Sequence, residues 1–88
     1  MIDQKVVWIT GASSGIGEAL AKEYSDKGYY VILSARKVAE LERVQSLLAN
    51  PTLSRVVQLD VGKYHDIDTQ VQPIIAELGR VDILINNA

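Results

Sequence analysis

Cysteine is absent from this sequence, which excludes disulfide cross-links and every metal site built on thiolates. Histidine occurs once, as His65. An imidazole without metal-ligand companions reads as an exposed side chain near the start of a helix, and no metal site is expected. Neither sign of charge dominates, since nine Lys and Arg face eleven Asp and Glu for a net charge of −2. With no lysine- or arginine-rich block, nucleic acid is not an expected partner. Long apolar runs are also missing. The longest, such as Tyr29–Leu33, fall far short of a bilayer span, so no membrane association is expected. The opening Met1-Ile2-Asp3-Gln4-Lys5 has none of the long apolar region of a cleavable signal, and a cytoplasmic location is the default expectation. What is present, 48% hydrophobic and 23% charged residues, suits a globular domain. Eighty-eight residues make one small domain at most. Such a domain buries only about 60–65% of its unfolded surface, so marginal stability is expected.

The chain is organised around Thr10-Gly11-Ala12-Ser13-Ser14-Gly15-Ile16-Gly17. Before it stands Lys5-Val6-Val7-Trp8-Ile9, a short run of β-branched and aromatic residues that reads as a buried strand. After it come Ile16, Ala19, Leu20, Glu23, Tyr24 and Lys27 at helical spacing. Strand, glycine-rich turn and helix in succession make a place for phosphate. The helix start offers unpaired N–H groups and partial positive charge, and glycine lets a pyrophosphate or a neighbouring backbone come close. A P-loop needs four residues between its glycines and then Gly-Lys-Ser/Thr. Here three residues separate Gly11 from Gly15, and Ile16 follows. The expectation is a dinucleotide site.

The remaining elements alternate. Helix one is expected over about Gly15–Lys27, stopped by Gly28, and strand two over Tyr29–Ser34. Val38, Leu41, Val44, Gln45 and Leu48 mark helix two, closed by Asn50-Pro51. Strand three covers Arg55–Asp60. Ile67, Val71, Ile74, Ile75 and Leu78 mark helix three, stopped at Gly79, with Pro73 expected to bend or restart it. Strand four covers Val81–Asn86. Alternation of this kind implies an α/β fold with a doubly wound parallel sheet, here a Rossmann-type half-fold βαβαβαβ of strand order 3-2-1-4. Residues 1–88 then form a single half-domain that reads as truncated after strand four. That strand's open edge invites pairing, so a homodimer through it is an expectation.

The pattern T-G-x-x-x-G-x-G, carried by Thr10, Gly11, Gly15 and Gly17, resembles the cofactor motif of the short-chain dehydrogenase/reductase family. The resemblance runs through four ordered motifs: Thr10–Gly17, Arg36, Asp60-Val61 and Asn86-Asn87-Ala88. It implies that Gly11, Ser13, Ser14, Gly15, Ile16 and Gly17 line a pyrophosphate turn. Asp60 would bond the adenine amino group with Val61 beside the ring, and Asn87 with Ala88 would lie against the adenosine ribose. Gly62 departs from the serine or threonine often found there. After strand two, an NAD site usually places an acid for the ribose hydroxyls. This chain has Ser34-Ala35-Arg36-Lys37, and an arginine suits a 2′-phosphate. NADP is therefore expected over NAD, although Ser14 stands where some NADP-preferring relatives carry a basic residue.

The implied activity is hydride transfer between NADP(H) and an alcohol or carbonyl substrate, in the complete protein. The resemblance implies that the family's catalytic serine and Tyr-x-x-x-Lys pair lie downstream of residue 88. None of Tyr24, Tyr29, Tyr30 and Tyr64 has lysine four residues on, so no catalytic residue is expected in this chain. The alternative is an isolated dinucleotide-binding half-fold acting as a binding or self-associating structural module. Flavin or S-adenosylmethionine binders are disfavoured by the missing acid after strand two. Trp8 reads as core, while Glu18, Glu23, Glu40 and Glu42 read as solvated. Ser13 and Ser14 suit phosphate contact or helix capping.

Overall fold

The computed structural model describes residues 3–13, 15–59 and 64–87, with residues 64–70 described by their backbone only. The elements are β1 (Val6–Thr10), α1 (Gly15–Asp26), β2 (Tyr30–Ala35), α2 (Val38–Ser46), β3 (Ser54–Gln58), α3 (Tyr64–Leu78) and β4 (Ile83–Asn86). The four strands form one sheet in the order β3-β2-β1-β4, and every pairing is parallel. This is the Rossmann-type arrangement expected from the alternation of elements. All strands point the same way, so their carboxyl ends share one edge of the sheet. The order reverses between β1 and β4, where such sheets open a crevice for ligands.

Alternation along each strand splits the core. Val7, Ile9, Val31 and Leu33 are buried on the face covered by α1 and α2, together with Ala21, Leu41, Val44 and Leu48. Val6, Trp8 and Ile32 are buried on the opposite face with Leu59 and with Leu78 of α3, and Val71, Ile74 and Ile75 pack against them. β1 and β2 are thus covered on both sides, which is why they read as unbroken apolar runs. Each large aliphatic side chain fully withdrawn from water contributes about 1.5–3 kcal/mol. Trp8 is buried as expected from the sequence, and its indole N–H donates to the buried Ser34 hydroxyl at 2.7 Å. β4 lies at the sheet edge, with Leu84 67% exposed.

Several element ends differ from expectation for local reasons. α2 stops at Ser46, and the Leu47 and Leu48 N–H groups reach back only three residues, to Val44 and Gln45. The last turn tightens, yet Leu48 still enters the core. α3 runs through Pro73 as one element and does not restart. Pro73 is exposed, and its missing N–H removes one intrahelical bond without ending the helix. Gly28 and Gly79 follow α1 and α3 at φ 84° and 82°, the left-handed geometry that ends a helix. On α1 the buried stripe is Gly17, Ala21 and Ser25, whereas Ile16 is 69% exposed and Ala19 is also exposed. Small side chains at i, i+4 and i+8 let this helix sit close to the sheet, which displaces the larger Ile16 outward. No helix among the described residues is long and apolar enough to cross a membrane.

Candidate nucleotide-binding site

The glycine-rich turn leaves β1 at the reversal point of the sheet and is held from three directions. Ala12 is buried, and its N–H donates to the Ser34 carbonyl of β2 at 3.1 Å. The Thr10 hydroxyl accepts the Asn87 N–H at 3.1 Å. Its own proton faces Asn86 Oδ1 at 3.0 Å and the Ile85 carbonyl at 3.3 Å. Asn87 Nδ2 donates to the Gly11 carbonyl at 3.4 Å. Residues from the two ends of the chain therefore meet at the turn.

The glycines serve different needs. Gly11 and Gly15 have φ of 65° and 58°, a conformation costly for side-chain-bearing residues. A Cβ on Gly15 would meet no atom within 4 Å, so the turn opens onto free space there. A Cβ on Gly17 would lie 2.1 Å from the Gly11 oxygen and 2.9 Å from Asn87 Nδ2. Gly17 is therefore demanded by backbone packing. Gly15 combines an open mouth with the amino end of a twelve-residue helix, where unpaired N–H groups favour an anion.

The third direction comes from α2 and was not legible in the sequence. Arg43 Nη2 donates to the Ser13 carbonyl and to Glu18 Oε1, both at 3.0 Å, while its Nε donates to Glu40 Oε2 at 3.1 Å. Lys22 adds a second cation to Glu18 at 3.0 Å. Glu18, expected to be solvated, is instead a bridged carboxylate with only 20% of its side chain exposed. Hydrogen bonds from Arg43 and Lys22 hold its pKa below the usual carboxylate range. Glu23, Glu40 and Glu42 are exposed as expected.

Residues 5–88 match the family model described as short chain dehydrogenase. The chain belongs to the short-chain dehydrogenase/reductase family. It is 46% identical to dehydrogenase/reductase SDR family member 7 of Homo sapiens, an alignment covering 93% of this chain and 26% of that protein. A metagenomic short-chain oxidoreductase solved in complex with NADP superposes with a TM-score of 0.87 at 33% identity, over 96% of this chain and 38% of that one. The 3-ketoacyl-(acyl-carrier-protein) reductase of Brucella melitensis, solved with NADH, superposes with a TM-score of 0.78 at 38% identity, over 91% and 32%. The chain thus spans about a quarter to a third of the length of the curated relatives it matches.

Set in the short-chain dehydrogenase frame, the residues singled out by sequence fall into three groups. Gly11, Ser13, Gly15, Ile16, Gly17 and Asn87 come together at the carboxyl edge of the sheet between β1 and β4. Arg36 stands just past β2, exposed, with its carbonyl accepting Gln58 Nε2 at 2.8 Å. No carboxylate among the described residues forms an ion pair with it. Ser14, Asp60, Val61 and Ala88 lie outside the described residues, as does Gly62. The described part fits a dinucleotide phosphate: a left-handed, open glycine at a helix start, and beyond the neighbouring strand an exposed arginine with no ion-pair partner among the described residues.

Proposed function

We propose that this chain is the nucleotide-holding part of a short-chain dehydrogenase/reductase that uses NADP(H), and that the complete protein interconverts an alcohol and a carbonyl. Bound there, NADP(H) would supply or accept hydride. Gly11, Ser13, Ser14, Gly15, Ile16 and Gly17 would cradle the pyrophosphate, Asp60 and Val61 the adenine, and Asn87 and Ala88 the adenosine ribose. Arg36 would pair with the 2′-phosphate through charge-assisted hydrogen bonds. Solved relatives hold either NADP or NADH, so the likeness alone leaves the nucleotide open. One observation favours NADP: Arg36 is exposed directly after β2 and forms no ion pair with a carboxylate among the described residues.

No catalytic role is assigned within the chain. Tyr24 and Lys27 are the nearest thing to an acid/base pair, but Tyr24 packs edge-on against Tyr29 with ring centres 5.0 Å apart. Lys27 sits 5.8 Å over the Tyr24 ring, at the end of α1 opposite the glycine turn. Calorimetric titration with NADP and NAD tests the reading. NADP should bind more tightly, and Arg36→Ala should remove about tenfold to a hundredfold of that affinity while leaving NAD nearly unchanged. Equal affinities in the unaltered protein would overturn the assignment to NADP.

A further inference from the structure

We propose that Arg43, carried by α2 and outside every nucleotide-binding motif in the sequence, is a positioning residue that presets the glycine turn for the pyrophosphate. The inference rests on the preceding reading of that turn as a nucleotide site and adds a residue to it. Its basis is a three-way contact: Arg43 meets the Ser13 carbonyl of the turn, Glu18 in the first turn of α1, and Glu40 on its own helix. The turn is bounded by two left-handed glycines, Gly11 and Gly15, whose backbone has unusual freedom when unconstrained. Ala12 is fixed to β2, and Gly11 is fixed by Asn87. Ser13 is the next residue along, and its carbonyl is held by Arg43. A planar guanidinium fork suits this task because it fixes the directions of several donors at once, which an ammonium does not.

Arg43 acts here by geometry and not as a phosphate ligand. Its Nε and Nη2 groups are already engaged. Its charge is also matched locally, since Arg43 and Lys22 face Glu18 and Glu40. Ordering the turn before the ligand arrives removes that cost from binding. The pyrophosphate is common to NADP and NAD, so the benefit must be shared by both nucleotides. This separates Arg43 from Arg36, whose effect is confined to the 2′-phosphate.

The test measures Kd for NADP and for NAD in the protein at its natural length, with Arg43→Ala, Arg43→Lys and Arg36→Ala side by side and thermal melting as a check on folding. Arg43→Ala should raise both Kd values by the same factor, about threefold to tenfold, leaving their ratio unchanged. Arg43→Lys should recover only part of the loss. A lowered melting temperature with both Kd values unchanged would reduce Arg43 to a stabilising contact and overturn the proposal. A loss confined to NADP would overturn it as well, by making Arg43 a 2′-phosphate ligand. If Arg43→Ala does not fold, Arg43→Lys carries the same test, and unchanged affinities there overturn the proposal. An unaltered protein that binds neither nucleotide would sink the underlying functional reading, an outcome distinct from failure of the Arg43 step.

Discussion

At the scale of single residues, the turn shows why glycines of one motif are not equivalent. Gly17→Ala places a methyl group 2.1 Å from the Gly11 oxygen, and neither backbone can yield without moving the turn or the helix. A loss of about 1–3 kcal/mol is expected, measurable by urea denaturation, and nucleotide affinity should fall with it. Spacing and position pointed to the glycines and to Arg36, at the end of a strand, whereas Asn87 came only from the family resemblance of Asn86-Asn87-Ala88. Arg43 and Glu18 were invisible by the same route. Their contact joins residues 25 apart, and nothing in either local pattern separates a bracing pair from two ordinary charges on exposed helix faces. Helical spacing did not show which face of α1 packs on the sheet, because that helix buries small residues, Gly17, Ala21 and Ser25, and leaves Ile16 exposed.

Among the elements, strands were more legible than helix ends. Continuous apolar runs signalled β1 and β2 because both are covered on two faces, whereas β3 and β4, only partly buried, began and ended within two residues of expectation. The closing turn of α2 depends on how tightly Leu47 and Leu48 wind back, which sequence does not specify. One link between elements makes a sharp test. Ser34 in β2 accepts the buried indole N–H of Trp8 in β1, so Ser34→Ala would leave that donor without a partner. A loss of about 1–3 kcal/mol is expected on chemical denaturation, and Trp8→Phe in the same background should restore part of it.

For the molecule as a whole, peripheral ion pairs brace helices, strands and the loop before β4 and should show in acid. Asp82 is held below the usual carboxylate range by Arg80 and by the Val6 N–H, which donates to it at 2.7 Å. Glu77 is lowered by its paired contacts with Arg55 of β3, both at 2.8 Å, and Glu18 is lowered by Arg43. A carboxylate whose folded pKa is depressed lends stability above its unfolded pKa and loses it as pH falls through the folded value. Melting temperature should therefore decline below about pH 5, and less steeply in Asp82→Asn than in the unaltered protein. The individual contributions are small because these groups are exposed. A steeper decline in Asp82→Asn would contradict the assignment.

The Thr10 hydroxyl joins residues 76 and 77 positions apart, which has a consequence for the order of assembly. During synthesis β1, β2 and β3 emerge together with α1 and α2, and their neighbouring contacts can form early. The glycine turn cannot acquire its last bracket until Asn87 has been made, and contacts that close so long a loop form slowly. A nascent chain would thus own most of its sheet before it could recognise a nucleotide. Ligand recognition would then report that the fourth strand has arrived.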